Sequence, residues 1–485
     1  MNSANAAGQS VTAPERVLAR SETTAVTVLL GAFLGWLALQ TPVAIIAYQY
    51  GHLPLLAVQA ILLAKDVFVA LAIVVLAVRH IRSATLRWFD FLAIGYFVTV
   101  AVYSVVPYAL GSRLPVAAVV ASAREFLVPV ELYALGRLAV LAGARTETIV
   151  RTFLVIGAIA AAFTVIAYAV LPVTFWSSTL DLVTFERVVQ QIPSAKTLWD
   201  ISLLGQYGVG DSGSFARAVG PFTHPVATSH YFVLLLCLAV AGGFACLRDG
   251  RRRQVLILAG AAILFAAAIV TPISRGAWIA SAIGVLLCGL LYRQLRIALI
   301  GLAIAAIVVV AVPPFSYAIS SATARTDSSI IGHDTAVQHG LQTVEQNPLG
   351  LGLGQADQFG KSLSADASAS AQSAGVGENM YLAVVVSVGP IGLLLLVGWL
   401  VGLLAHLIPR RPATPAEWMV VGTGASLVGY LVSALFASPL LRFTSGASFW
   451  LLAGLLLVDA GLGGLTLKRL RTQGTLRRPR AAGSR

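Results

Sequence analysis

Charge and sulfur are both scarce in this chain. Only 11% of its 485 residues are Asp, Glu, Lys or Arg, against 58% hydrophobic residues, and the mean hydropathy is +0.85. So few charges cannot cover the core of a soluble fold, which excludes a water-soluble protein. The three cysteines, Cys237, Cys246 and Cys288, all fall in apolar runs. They have no metal-ligand spacing and no partner outside the membrane, so neither a disulfide framework nor a cysteine-built metal site is expected. HExxH, GxSxG and paired-cysteine zinc signatures are absent as well, which removes the commonest hydrolase and zinc-site readings. Gly350-Leu-Gly-Leu-Gly-Gln looks like a phosphate-cradling loop, but no strand precedes it and no Lys-Ser/Thr follows. Nor does any period of roughly 20 to 50 residues mark a repeat protein.

What the chain has instead is long apolar runs. A spanning helix needs about 20 largely apolar residues, and such runs lie near 24–49, 54–78, 88–109, 114–136, 149–171, 224–247, 254–271, 276–292, 297–313, 379–407, 416–437 and 444–466. The expected fold is all-α and polytopic, about twelve transmembrane helices with a large extracytoplasmic loop between helices nine and ten.

Arginine orients it. With a cytoplasmic N-terminus, the cytoplasmic segments carry Arg16, Arg20, Arg79, Arg82, Arg87, Arg137, Arg145, Arg151, Arg248, Arg251, Arg252, Arg253, Arg293, Arg296, Arg410, Arg411 and the tail from Lys468 to Arg485. The opposite face owns both long loops, about 173–223 and 314–378, yet holds only Arg113, Arg187, Lys196, Arg217, Arg275, Arg325, Lys361 and Arg442. The positive-inside rule therefore puts both termini in the cytoplasm. Residues 1–23 are expected to be a disordered tail, 24–466 a single transmembrane domain, and 467–485 a basic tail. The net charge of +13 sits in short clusters beside helix ends, where anionic headgroups attract it, so membrane lipids rather than nucleic acid are the expected partners.

Function is then sought outside. In the second long loop His333-Asp334 can cap a helical run through Ala336, Val337, Leu341 and Val344, ended by Asn347-Pro348. Three segments place polar groups at helix entrances on that face: Arg217 to His230, Ser274-Arg275-Gly276, and Gly377-Glu378-Asn379-Met380-Tyr381. A guanidinium stays charged at any working pH and offers paired donors, so two converging arginines suit a pyrophosphate. A nearby carboxylate of raised proton affinity suits removal of a proton from an acceptor hydroxyl. Each residue also has a plain structural reading. Arg275 can snorkel to headgroups, Arg217 can be a loop charge, Glu378 can favour a helix N-terminus, and His224 and His230 can be packing residues. Within the membrane, Lys65-Asp66 and Arg124-Glu125 with Glu131 should face the bundle interior and pair between their two helices, or else line an ion pathway.

Taken together, these segments resemble the O-antigen ligase and polymerase superfamily, membrane glycosyltransferases that use polyprenyl-pyrophosphate-linked sugars. Arg217-Ala-Val-Gly-Pro-Phe-Thr-His-Pro is similar to the family's Arg-x-x-Gly-x-Phe-x-x-Pro signature, and Ser274-Arg275-Gly276-Ala277 to its second arginine motif. Asn347-Pro-Leu-Gly-Leu-Gly resembles the end of its large loop. Asn379-Met-Tyr-Leu followed by Gly389-Pro-Ile-Gly-Leu resembles the helix after it.

The resemblance implies an inverting, metal-independent glycosyltransferase with no cofactor, acting on an undecaprenyl-pyrophosphate-linked glycan donor and a glycan or lipid acceptor. It further implies the bacterial plasma membrane as location and envelope polysaccharide synthesis as process. Arg217 and Arg275 would hold the pyrophosphate, with Arg325 a possible third contact. Where the ligase branch commonly has a histidine, this chain has Glu378, which points to a polymerase with Glu378 as base. His224, His333, His339 and Asn379 stay open as further site residues. The rival class is a secondary transporter or lipid-linked-sugar flippase working through Lys65, Asp66, Arg124 and Glu125.

Overall fold

The computed structural model describes residues 13–83, 86–109, 111, 114–172, 175–189, 217–323, 328–355, 379–408 and 417–457. Those residues form helices joined by turns: α1 (Ala13–Gln49), α2 (Leu55–His80), α3 (Trp88–Ala109), α4 (Val116–Leu141), α5 (Thr146–Val170), α6 (Leu182–Val188), α7 (Pro225–Arg248), α8 (Arg252–Val270), α9 (Arg275–Leu291), α10 (Leu295–Ala311), α11 (Pro313–Thr323), α12 (Ser328–Gln346), α13 (Met380–Leu407), α14 (Trp418–Ser433) and α15 (Phe443–Leu457). The expected all-α, multi-pass architecture is what the structure has.

The expected count of about twelve spans is not reached on length and composition. Seven helices are long and apolar enough to cross a membrane, or eight if α10 and α11, bent by 92° at their junction, form one span. Three of the runs behind the larger count are shorter helices, α9, α14 and α15. A fourth, α4, carries Arg124, Glu125, Glu131 and Arg137. The apolar pattern registers burial, and a helix buried among other helices is apolar whether or not it is long enough to span alone.

That burial is uneven. α7 is buried around most of its circumference and packs against α8, α9 and α14, whereas α2, α8 and α10 turn broad Val, Leu and Ile faces outward. Small residues let the central helices approach. A Cβ on Gly429 of α14 would lie 2.3 Å from the Ala280 carbonyl of α9, and one on Gly284 would lie 2.4 Å from Cys237 Sγ of α7. Such close approach is how helices gain dispersion energy where lipid supplies no hydrophobic drive.

The anticipated ion pairing between α2 and α4 is present. Arg124 Nη2 lies 2.8 Å from Asp66 Oδ2, and Lys65 Nζ lies 3.7 Å from the same oxygen while donating to the Leu62 carbonyl at 2.6 Å. A second pair passed unnoticed in the sequence. Asp90, buried in the first turn of α3, takes Arg137 Nη1 of α4 at 2.8 Å on both carboxylate oxygens and the Tyr133 hydroxyl on one.

The predicted helix after His333 exists but begins earlier, at Ser328, and stops at Gln346 as expected before Asn347-Pro348. The glycine segment that follows is no phosphate loop. Pro390 lacks the N–H that would bond the Val386 carbonyl four residues back in α13, and Pro107 likewise leaves the Tyr103 carbonyl of α3 without its helical donor. Leu351 N donates to Val386 O at 2.8 Å, and Leu353 N donates to Tyr103 O at 3.1 Å. The Tyr103 hydroxyl completes the clasp on the Leu349 carbonyl at 2.5 Å. Residues 349–353 thus satisfy two proline-orphaned carbonyls in the low-dielectric interior, where an unmet backbone group is costly.

The glycines make room for that clasp. Gly352 has φ +91°, and a Cβ there would lie 2.6 Å from the Pro107 ring. Gly352→Ala should therefore cost about 2–4 kcal/mol through positive φ and overpacking. Gly332→Ala meets nothing within 4 Å and should be neutral or stabilising. Thermal unfolding of both variants in detergent checks the pair; equal midpoints would refute the clasp.

Candidate functional site

Five segments distant in sequence meet at one end of the bundle, the end that the arginine pattern assigns to the outside. The stretch 217–224 lies across the α8–α9 turn: Ala218 N donates to Thr271 O at 3.1 Å. Arg217 Nε donates to Pro272 O at 2.8 Å, and its Nη2 to Ile273 O at 3.3 Å. The turn is tight, with Ile273 at φ 53°, and it delivers Arg275 as the first residue of α9. Arg275 Nη1 donates to Ala318 O of α11 at 3.3 Å, so the bend between α10 and α11 brings that helix over the arginine. The guanidinium of Arg217 lies on the carbonyls of the two residues that precede the Ser274-Arg275 pair.

Gly220, at φ 64°, lets the chain turn into α7; a Cβ there would meet the Thr228 and Thr164 side chains at 2.4 and 3.0 Å. His224 then caps α7, its Nδ1 3.4 Å from Ala227 N, with Pro225 filling the first helical position where no N–H is needed. One turn later His230 is buried, Nδ1 donating to Val226 O at 2.8 Å and Nε2 accepting from Ser433 Oγ at 2.6 Å. Tyr430 donates to the His230 carbonyl at 2.7 Å. His230 is thus a tie between α7 and α14, the structural role weighed for it.

Asn379, not the neighbouring Glu378 for which a helix-end role was weighed, is the N-cap of α13. Its Oδ1 accepts from Tyr381 N and Leu382 N at 3.0 and 3.1 Å, capping α13. Its Nδ2 donates to Leu435 O at 3.2 Å, and Met380 N donates to Ala434 O at 2.9 Å, so the start of α13 is held to the segment after α14. Glu378 and Arg325 lie outside the described residues. His333 and His339 ride on α12, half-buried and exposed respectively, and α12 packs on α13 through Gly340 against Leu382.

Sequence reasoning left Arg442 out of the site. It sits between α14 and α15, with Nη1 3.4 Å from His224 Nε2. The available signal was its membership of the few basic residues on the outer face, an argument applied to Arg275 and equally applicable here. Among the described residues no group of three or more His, Cys, Asp or Glu is arranged to hold a metal ion.

With this geometry in view, the comparison with known families is informative. Residues 260–397 match the family model described as O-Antigen ligase. The chain carries an O-antigen ligase domain over that stretch. The domain takes in Arg275, the α10–α11 bend, α12, the glycine strip with its α13 partner and Asn379, while Arg217, His224, Arg442 and the α3 side of the proline clasp lie outside the matched residues. No curated protein and no solved structure matches the chain.

Burial, then Arg442, Arg217 and His230, hold the His224 proton affinity well below its ordinary pH 6.5. The stability owed to a neutral ring is complete above pH 6.5 and declines as pH falls below it, because the unfolded chain takes up a proton that the folded chain refuses. His224→Asn preserves a capping acceptor without titrating. Between pH 6.5 and about pH 5 its melting temperature in detergent should fall less than that of the parent. Equal slopes would show that His224 protonates freely in the fold.

Proposed function

We propose that this protein transfers or polymerises oligosaccharide from an undecaprenyl-pyrophosphate carrier onto an acceptor hydroxyl at the outer face of the bacterial plasma membrane, in cell-envelope polysaccharide synthesis. The observation that carries the reading is the docking of Arg217 on the turn that presents Arg275, inside a bundle whose O-antigen ligase domain supplies the second arginine. Both termini are then cytoplasmic, and α4, α9, α14 and α15 join the longer helices as spans.

The chemistry asks little of the protein beyond charge and position. The two guanidiniums neutralise the pyrophosphate and improve it as a leaving group. The acceptor oxygen attacks the anomeric carbon from the face opposite the carrier, its proton passes to Glu378, and the bond from the anomeric carbon to the carrier's phosphate oxygen breaks. The product is an inverted glycosidic bond plus free undecaprenyl pyrophosphate. No nucleotide or metal is required by this scheme. Polymerase is the preferred subtype because a carboxylate stands at Glu378, where the ligase branch commonly has histidine. The flippase reading loses ground because Asp66 pairs with both Lys65 and Arg124.

Purified protein incubated with extracted lipid-linked repeat units should yield a ladder of products in excess chelator; a single added unit would mean ligase, and movement of intact carrier across vesicles would mean flippase. Arg217→Lys and Arg275→Lys should both be poorly tolerated, since an ammonium lacks the bidentate fork. Arg→Ala at either should slow turnover by about 30- to 1,000-fold. Glu378→Gln should fold, bind donor and be nearly inactive; retained turnover would move the search for a base to His224, His333 and His339.

Orientation has its own test. Cysteines replacing Ser212 and Ser370 should react with an impermeant reagent in intact cells and one replacing Thr472 should not. Labelling at Thr472 alone would place the site on the cytoplasmic side.

A further inference from the structure

The exit of α14 is where the three motif segments are tied to one another. A helix ends with four main-chain carbonyls that lack an intrahelical donor, and in α14 these belong to Tyr430, Leu431, Val432 and Ser433. Three are met by the chain itself: Ala434 N donates to Tyr430 O at 2.8 Å, Leu435 N to Val432 O at 3.2 Å, and Phe436 N to Ser433 O at 2.9 Å. The fourth, Leu431 O, accepts from the Tyr381 hydroxyl of α13 at 2.8 Å. The next two carbonyls also go to α13, Ala434 O to Met380 N at 2.9 Å and Leu435 O to Asn379 Nδ2 at 3.2 Å. The end of α14 and the start of α13 thus satisfy one another, and helix ends of opposite partial charge meet.

While the main chain of this turn holds α13, the Ser433 side chain serves the other two segments. Its Oγ is hydrogen-bonded to His230 Nε2 of α7 at 2.6 Å. Gly276, the residue after Arg275, packs on the same hydroxyl: a Cβ there would lie 3.0 Å from Ser433 Oγ, 3.8 Å from His230 Nε2 and 3.8 Å from Phe436 Cβ. A side chain at 276 would lift the first turn of α9, and Arg275 with it, off that surface. One turn earlier on α14, Gly429 packs as closely on the Ala280 carbonyl of α9, so the two helices have little freedom to slide.

Residues 433–436 therefore fix three elements relative to one another. These are α7, into which the 217–224 stretch leads, α9, which begins with Arg275, and α13, which Asn379 caps. A transfer site assembled from separate helix entrances works only when leaving group and acceptor are held at reacting distance, and a misplacement of about 1 Å can cost about 100-fold in rate. We propose that the exit turn of α14 is the positioning element of the glycan-transfer site, with Ser433 its positioning residue, acting through His230 and Gly276 to set Arg275 against the entrance of α13. Ser433 touches no substrate in this role. The role rests on the functional reading above, and it falls to a segment beyond the matched residues 260–397.

The full chain in nanodiscs, with the folded fraction measured by size exclusion, is assayed for transfer from extracted lipid-linked repeat units and separately for binding of undecaprenyl pyrophosphate. Ser433→Ala should lower turnover per folded molecule about 10- to 100-fold, while its affinity for undecaprenyl pyrophosphate changes by less than about threefold. Binding is kept because Arg217 is docked on the turn that carries Arg275 and moves with it. Gly276→Ala should show the same split. In the Gly276→Ala/Ser433→Ala double variant the new methyl gains the space that Oγ leaves, so turnover should exceed that of Gly276→Ala alone. Parental turnover in Ser433→Ala would overturn the proposal and leave the broader reading standing. So would a loss of undecaprenyl pyrophosphate affinity that matches the loss of turnover, which would make Ser433 part of the binding surface, and so would additive losses in the double variant. If the parent itself transfers nothing from lipid-linked units, the broader reading fails and the positioning role with it. Should Ser433→Ala not fold, Tyr381→Phe removes only the hydroxyl that meets Leu431 O and should slow turnover with donor affinity kept; parental turnover there would overturn the proposal.

Discussion

The bundle depends on a backbone constraint: no carbonyl may be left without a donor in a low-dielectric interior. Prolines in α3 and α13 each break that rule, at Tyr103 and Val386, and the amides of Leu353 and Leu351 restore it. Because the repair comes from the segment that follows α12, it ties α12 to α13 and fixes the height at which α13 begins. The cap at Asn379 and its bond to Leu435 follow from that placement. A glycine-rich run that reads like a phosphate cradle is here a strip of backbone thin enough to lie against two proline kinks.

Around this clasp the helices are arranged so that expensive charges are met by opposite charges or by main-chain carbonyls. Asp66 and Asp90 each join neighbouring helices through an arginine, and such pairs contribute more to specificity of packing than to net stability, since desolvation offsets most of their attraction. Other arginines meet main-chain carbonyls or a histidine instead. Arg217 donates to the Pro272 and Ile273 carbonyls, Arg275 to that of Ala318, and Arg442 lies beside His224.

The histidines illustrate how context divides one residue type. His230 is consumed by Val226 and Ser433, a tie between α7 and α14. Six residues earlier, His224 keeps one nitrogen for the helix cap and turns the other toward Arg442. Hydrophobic periodicity sees both positions as breaks in an apolar run and cannot separate them.

Read alone, the amino-acid sequence determined the membrane character, the helical class, most helix positions, the break at Asn347-Pro348, the pairing of Lys65-Asp66 with Arg124, and the two arginine motifs. These depend on local composition and short-range spacing, which one-dimensional pattern carries directly. Tertiary structure alone decided that α9, α14 and α15 are short, that Pro107 and Pro390 are rescued by the glycine strip, and that Arg442 stands beside His224. Each of those is a contact between residues far apart in the chain. Its partner is set by how helices of unequal length stack and bend, and no local pattern encodes that.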